Sequence, residues 1–384
     1  MKDLSISKLK LGVIGGGQLG KMLSLAASNW DVLTYIIDPA VDCCAAPVVH
    51  HVQQGDFTKY DDLYNFGKDK NILTIEIEKV NIEALLDLEK EGVTIYPEPS
   101  VIQQIQDKGL QKQFYQQHNI PSSPFTIYAN AGEIRTAAAN GELNYPFVQK
   151  SRKDGYDGKG VHVVNEVKDL DSLIEAPCLV EEKVEIFKEL AVIVARNSKG
   201  ETIAYPTVEM EFNPTANLVE FLVCPAAISD EVEQVAQAMA KQVIEAYNMT
   251  GILAVELFLD KEGNVLVNEV APRPHNSGHH TIESIHTSQY EQHLRAILGL
   301  PLGSTAIKCP SVMINILGSS GYAGPAKYVG LDECMAVDGF NLHIYGKETT
   351  KPFRKMGHAT ILDTDINKAK EKARNIQDKL KVIS

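Results

Sequence analysis

The chain has few of the residues that mark secreted, zinc-binding or nucleic-acid-binding proteins. Its six cysteines (Cys43, Cys44, Cys178, Cys224, Cys309 and Cys334) include no C-x-x-C spacing and no histidine partners at zinc-site intervals. A disulfide framework is therefore not expected; buried reduced thiols and a cytoplasmic location are. Positive charge is also short: 37 Lys and Arg stand against 50 Asp and Glu, a net charge of -13. No pervasive positive field exists to neutralise a phosphate backbone, so nucleic acid is not an expected partner and any basic cluster must be local. Long apolar runs are missing as well. The opening MKDLSISKLKLGVIGGG lacks the apolar core of a signal peptide, nothing later approaches a bilayer span, and no repeat or low-complexity tract occurs. No membrane partner is expected.

What is present, 44% apolar and 23% charged residues in a chain of 384, is ordinary for a soluble globular protein. The length is about two to three times that of a typical domain, which predicts at least two cores with clefts between them. In the first hundred residues KLGVIGG, QLGKMLSLAASNW, VLTYIID, NILTIEIE, NIEALLDLEKEG and VTIYP alternate strand-like and helix-like patterns, predicting a parallel sheet flanked by helices. Pro97, Pro99 and Ser100 punctuate its end, and SVIQQIQDKGLQKQFYQQHNI reads as a helical pair stopped at Pro121. From 145 to about 230 the rhythm is strand-like. SDEVEQVAQAMAKQVIEAYNM is a helix, with Ser229 as N-cap and Val232, Val235, Ala236, Met239, Val243 and Ile244 on one face. Two strands follow, GILAVELFLD and NVLVNEVAP, then a smaller strand-rich segment that ends in the helix INKAKEKARNIQDKL.

Two glycine loops stand out. In GVIGGGQLGKM, Gly15, Gly17 and Gly20 fit G-x-G-x-x-G between a strand and a helix, and Asp38 ends the next strand where a ribose-binding acid would stand. The letters also fit G-x-x-x-x-G-K, but Met22 replaces the Ser or Thr that a Walker loop needs for magnesium. A dinucleotide site, a tight turn alone, and backbone N–H groups offered to a phosphate at a helix start all remain open. The second loop, QKSRKDGYDGKGVHVV at 149–164, sets Gly155, Gly158 and Gly160 among Lys150, Arg152, Lys153 and Lys159, between two strand patterns. A hairpin that closes over phosphates and a solvated charged hairpin both fit it.

A third feature is a pair of acids. If Lys261–Asn264 is a four-residue loop with Asp260 opposite Val265, then Glu256 falls opposite Glu269, with Cβ atoms about 5 Å apart. Their neighbours are Val, Leu, Ile and Phe, so one carboxylate must stay protonated or a divalent cation must lie between them. Magnesium with a nucleotide explains the pair best. Strict alternation puts Asn268 on the other face unless the strand bulges. The next loop, APRPHNSGHHT, offers Arg273, His275, Asn276, Ser277 and His279; donors for a small oxyanion fit better than a zinc cluster, since Pro274 and Gly278 break any helix that would align the histidines.

Taken in order, GGGQLGKM, QDK, SRKDGYDGKG, VEEKVEIFKEL, YPTVE, AVELFLD, NEVAPRPHNSGHHT and YGKETTKPFRKMGHAT resemble the ATP-grasp superfamily, in particular its purine-biosynthesis ligases, over nearly the whole chain. The resemblance implies a mixed α/β and α+β multidomain fold. Residues 1–104 would be a parallel α/β pre-ATP-grasp domain. Residues 105–305 would be the ATP-grasp fold, with a flexible lid at about 121–187, and 306–384 a small C-terminal β-rich domain.

The same resemblance implies roles. ATP would meet Lys108, Lys150, the lid residues Gly155, Tyr156, Asp157, Gly158, Lys159, Gly160 and Val161, the Glu181, Glu182, Lys183 and Val184 backbone, and Glu189, Phe212, Asn268 and Glu269. Glu256 and Glu269 would hold Mg2+, with Mn2+ as a substitute. An amino-imidazole ribonucleotide would contact Gly17, Gln18, Leu19, Glu78, Asp157, Lys347, Arg354 and Lys355. Tyr156, Arg273, His275, Asn276 and Lys347 would frame bicarbonate and the amine. Three positions depart from the family pattern: Phe212 stands where histidine is frequent, Lys351 opens KPFRK where arginine is usual, and Glu182 replaces a common glutamine. The implied reaction is ATP- and bicarbonate-dependent carboxylation of an exocyclic amine by an ADP-forming ligase, in a homodimer. A formate-using ribonucleotide transformylase, an NAD-dependent oxidoreductase and a non-catalytic nucleotide-binding protein are the other readings.

Overall fold

The structure, a computed structural model, describes residues 8–153, 160–212 and 219–384. The expected alternation appears at the start as β1 (Lys10–Ile14), α1 (Gln18–Ser28), β2 (Leu33–Asp38), β3 (His51–Gln54), α2 (Tyr60–Gly67), β4 (Ile72–Ile75), α3 (Ile82–Lys90) and β5 (Thr94–Ile95). The five strands are parallel, in the order β3-β2-β1-β4-β5. Strand order reverses at β1, so the glycine loop after it lies at the switch point where α/β sheets bind ligands. The helical pair follows as α4 (Pro99–Ile105) and α5 (Lys108–Gln117). Asp107 caps α5 by accepting from Gly109 N at 2.9 Å.

Next come β6 (Phe125–Tyr128), α6 (Ala131–Ala139), β7 (Phe147–Ser151), β8 (Val161–Val164) and β9 (Cys178–Glu182), whose strands form an antiparallel sheet ordered β6-β9-β7-β8. The strands flanking the basic glycine loop pair from Phe147 with Val164 to Lys150 with Val161, as a hairpin requires. Gly155, Tyr156, Asp157, Gly158 and Lys159 lie outside the described residues.

The third group is β10 (Ile186–Arg196), β11 (Thr202–Ala204), β12 (Val208–Phe212), β13 (Val219–Cys224), α7 (Asp230–Ala246), β14 (Gly251–Asp260), β15 (Val265–Ala271), α8 (Thr281–Ser284) and α9 (Gln289–Ile297). The last holds β16 (Ser311–Leu317), β17 (Gly324–Pro325), β18 (Lys327–Val329), α10 (Leu331–Met335), β19 (Phe340–Ile344), β20 (Thr349–Thr350), β21 (Lys355–Leu362), α11 (Ile366–Lys379) and β22 (Lys381–Ile383). One nine-stranded sheet runs β15-β14-β10-β12-β13-β16-β21-β19, with β11 beside β10. The C-terminal strands thus extend the central sheet through the β13–β16 pair.

Both faces of this sheet are covered, which explains its nearly continuous apolar strands. Leu190, Val192 and Val194 of β10 pack with Ala236, Met239 and Val243 of α7. Ala191, Ile193 and Ala195 point the other way, against Ile252, Ala254 and Met313. Helix α7 starts where expected, the Ser229 side chain accepting from Val232 N. Val235, assigned to its buried face, is 47% exposed. The buried stripe centres on Ala236, Ala240 and Val243, and Val235 lies about 100° around the helix from Ala236. Among the described residues no helix is long and apolar enough to cross a membrane, and all six cysteines are free.

Candidate active site

Glu256 and Glu269 are register partners across β14 and β15. The expected pairing of Asp260 with Val265 is off by one, however: Leu259 faces Val265, and Leu257 faces Val267. A β-bulge between Leu257 and Glu256 then restores the offset, because β15 contributes one extra residue, Asn268, before Glu269 meets Glu256. Two deviations from the simple hairpin cancel. The bulge also re-aims Asn268, whose Oδ1 accepts from Lys150 Nζ at 2.9 Å.

The same sheet face carries Glu189, since Ala191 of β10 pairs with Glu256 and Glu189 lies two residues along. Three acids therefore converge. Burial pushes the Glu256 carboxyl well up, and the charges of Glu269 and Glu189 push it further. Glu189 is pushed up to about 7 by burial, with Lys150 opposing. Burial works against the charged form of Glu269 too, but Lys108, ion-paired to its Oε2, outweighs it and holds Glu269 below the ordinary range. Glu269 keeps 41% of its side-chain surface accessible, so a ligand can reach it.

Beside the acids stand three lysines from two elements. Lys108 opens α5, Lys150 lies on β7 and Lys112 follows one turn after Lys108. Glu181 of β9 organises them, pairing with Lys150 Nζ at 2.9 Å and Lys112 Nζ at 3.1 Å, while Ser123 Oγ donates to it at 3.0 Å. Lys112 and Ser123 carried no sequence signal, standing in a helix pattern and beside a proline. At the end of β9, Glu182 and the following Lys183 are exposed, as is Val161. Gly160 turns with φ +76°, its carbonyl accepting from Ser151 N, and Val184 O accepts from Ile186 N. Phe212 packs on the sheet core.

The first glycine loop is arranged differently from the expectation. Gly16 N donates to Asp38 Oδ2 (2.8 Å), so Asp38 holds the loop where a dinucleotide site would turn it to a ribose. Gly17 N and Gly20 N donate to Glu76 Oε1 (2.5 Å) and Oε2 (2.6 Å). Glu76 is the residue that sequence reasoning missed; Glu78, two further on, was the one singled out. Glu78 Oε1 pairs with Arg273 Nε at 2.8 Å, linking the first sheet to the loop after β15.

In that loop His275 Nε2 lies 3.7 Å from Glu256 Oε1 and its Nδ1 is 2.9 Å from Ser277 Oγ. Gln289 clamps the His275 backbone, accepting from its N–H (2.9 Å) and donating to its carbonyl (2.8 Å). Asn276 begins the 3-10 turn that follows. His279 and His280 point into the core instead, toward Tyr290 Oη (2.9 Å) and Ser284 Oγ (2.8 Å). Lys347, held by burial below the usual lysine range, donates to Gln18 Oε1 (3.3 Å) and Lys355 O (2.7 Å). Arg354 donates to Thr349 O at 2.6 Å. Lys21 of α1 donates to Ile344 O at 3.1 Å, so Lys347 and Lys21 both stand beside the glycine loop.

The acid pair suits a magnesium ion that shares nucleotide oxygens. Among the described residues no cluster of three or more His, Cys, Asp or Glu could enclose a metal alone. Magnesium is commonly held by one or two carboxylates plus phosphate oxygens, which is the donor set Glu256 and Glu269 offer.

Comparison with known proteins agrees with this geometry. Residues 8–106 match a ribonucleotide synthetase preATP-grasp domain, 113–290 an ATP-grasp domain, and 311–372 a phosphoribosylaminoimidazole carboxylase C-terminal domain. The chloroplastic phosphoribosylaminoimidazole carboxylase of Vigna aconitifolia is 38% identical over 93% of this chain, which spans 64% of that longer protein. The crystal structure of N5-carboxyaminoimidazole ribonucleotide synthetase from Thermotoga maritima is 41% identical, with TM-score 0.90 over 98% of this chain and 99% of that one. N5-carboxyaminoimidazole synthase from Aspergillus clavatus, in complex with ADP and 5-aminoimidazole ribonucleotide, is 31% identical with TM-score 0.88 over 97% and 98% of the two chains. The chain belongs to the N5-carboxyaminoimidazole ribonucleotide synthase family of ATP-grasp proteins.

Proposed function

We propose that the chain carboxylates the exocyclic amine of 5-aminoimidazole ribonucleotide, using ATP and bicarbonate, in de novo purine biosynthesis. The observation that carries this reading is the facing pair Glu256 and Glu269 with Lys108 and Lys150 beside it. In this reading Lys108, Lys150 and the lid residues 155–161 bind the triphosphate, the backbone at Glu181–Val184 takes the adenine, and Glu189 the ribose hydroxyls; Phe212 borders the nucleotide. Glu256 and Glu269 hold Mg2+, with Asn268 next to them; the ion supplies charge neutralisation at the phosphates. Gln18, Leu19, Lys347, Arg354 and Lys355 receive the ribonucleotide phosphate, and Glu78 and Asp157 its sugar or base; Gly17 opens the phosphate loop and gives its N–H to Glu76.

A bicarbonate oxygen attacks the γ-phosphorus and the bond to ADP breaks, giving carboxyphosphate. Catalysis at this step is positioning and charge neutralisation, which Lys108, Lys150 and Arg273 provide. The amine nitrogen then bonds to the carboxyl carbon, directly or after carbon dioxide is released; phosphate departs and the nitrogen loses one proton. Tyr156, Arg273, His275, Asn276 and Lys347 frame this step and exclude water from the labile intermediate. The reading also includes domain limits near 104 and 305, a cytoplasmic location and a homodimer. Sizing chromatography tests the last.

The test is to incubate purified protein with ATP, magnesium and bicarbonate. ADP should appear only when the ribonucleotide is added; a mixture that makes none, or turnover that needs formate in place of bicarbonate, would overturn the assignment.

A further inference from the structure

The loop between β1 and α1 is held by one half-buried carboxylate, that of Glu76. Besides accepting from Gly17 N and Gly20 N, Glu76 fills the space beside the glycines: a Cβ at Gly15, Gly17 or Gly20 would meet its side chain in each case. Gly17 has ordinary extended backbone, φ -73° and ψ -160°, so the space and not the backbone requires glycine there. Together with Asp38 on Gly16 N, Glu76 takes the amide donors that would cradle a pyrophosphate in a dinucleotide site. Neither acid takes the N–H of Gln18 or Leu19, and the Gln18 side chain meets Lys347. Glu78, two residues beyond Glu76, fixes Arg273. One short segment therefore sets both the phosphate loop and an arginine of the reaction site.

We propose that Glu76 is a positioning and specificity residue for the ribonucleotide phosphate. Its carboxylate locks the β1–α1 loop so that a single phosphate meets the Gln18 and Leu19 amides beside Lys347, and it bars a second phosphate from the glycine nest. The inference rests on the ribonucleotide reading above. The physical basis is direct: charge-assisted bonds from two amides hold the loop, and a pyrophosphate would have to displace a carboxylate or lie against like charge.

The test compares wild type with E76Q, G17A and the double variant. Glutamine keeps one acceptor but turns an NH2 toward the other amide, so one loop bond is lost and a donor faces a donor. E76Q should raise the ribonucleotide KM about tenfold while the ATP KM stays within about twofold, and the lost loop bond should lower the thermal midpoint of the free protein by only a few degrees. G17A presses on the same carboxylate and should give the same selective rise, and the double variant should be no worse than the worse single one. Protection against thermal unfolding by ribose 5-phosphate should weaken about tenfold in parallel. An unchanged ribonucleotide KM and undiminished ribose 5-phosphate protection in E76Q, or both KM values rising together, would overturn the proposal. Wild type that makes no ribonucleotide-dependent ADP would defeat the functional reading instead, and the ribose 5-phosphate titration would still decide the role of Glu76.

Discussion

Glu256 faces Glu269 across two adjoining strands because Asn268 is extruded from the ladder immediately before Glu269. The extra residue does two things at once: it keeps the acids in register and it delivers an amide oxygen to Lys150. The proposed metal site and the lysine proposed to bind phosphate are thereby tied to one irregularity in β15.

Replacing Glu269 by glutamine removes a carboxylate from the proposed ion and leaves Lys108 without its charged partner. E269Q should lower ADP formation by at least about a hundredfold with little change in the fold. Steady-state assays with a magnesium titration, beside circular dichroism, check this; ordinary turnover at ordinary magnesium would contradict it.

Asn268→Ala should act chiefly on nucleotide binding. Lys150 keeps Glu181 as a partner, so the loss is one hydrogen bond, and the ATP KM should rise about fivefold to tenfold with kcat changed less. An isotherm for a non-hydrolysable ATP analogue reports the same change without turnover.

Much of this was legible beforehand, for reasons that differ by element. The parallel sheet follows from VLTYIID and NILTIEIE, apolar runs that only a doubly covered sheet can bury, and Ser229 starts α7 because its hydroxyl caps that helix. The acid pair emerged although the assumed turn was off by one, since the bulge at Asn268 compensated. A bulge leaves no mark in a period-two pattern. Glu76 was hidden for another reason: in IEIE two acids alternate with isoleucine like any half-exposed strand, and only the fold shows that the first meets the glycine loop and the second Arg273. Nor did composition reveal that β16, β21 and β19 extend the central sheet, because joining edges is a property of register.

The pH dependence of stability has a defined sign at Glu189. Its carboxyl is pushed from 4.5 up to about 7, so between those values the folded protein holds a proton that the unfolded chain has lost. Stability should fall as pH rises through that window, and the loss is complete above about 7. Denaturant midpoints of wild type and E189Q measured across the window should diverge as pH rises, wild type losing more; a pH-independent difference would contradict the assignment.

Lys112 and Glu181 form an ion pair in which each side chain is less than one-twentieth exposed, 3% and 4%. Lys112→Met deprives Glu181 of one of two cations, although Lys150 remains. A loss of about 3 kcal/mol in unfolding free energy is expected, read from the shift in urea midpoint at constant m.

Bicarbonate as nucleophile toward the γ-phosphorus is the centre of the proposed chemistry, and oxygen tracing tests it most directly. With 18O-labelled bicarbonate, the attacking oxygen stays on phosphorus when the carboxyl group leaves, so each phosphate released with ADP should carry one labelled oxygen from bicarbonate. Phosphate free of label, formed while the ribonucleotide is being carboxylated, would contradict the account.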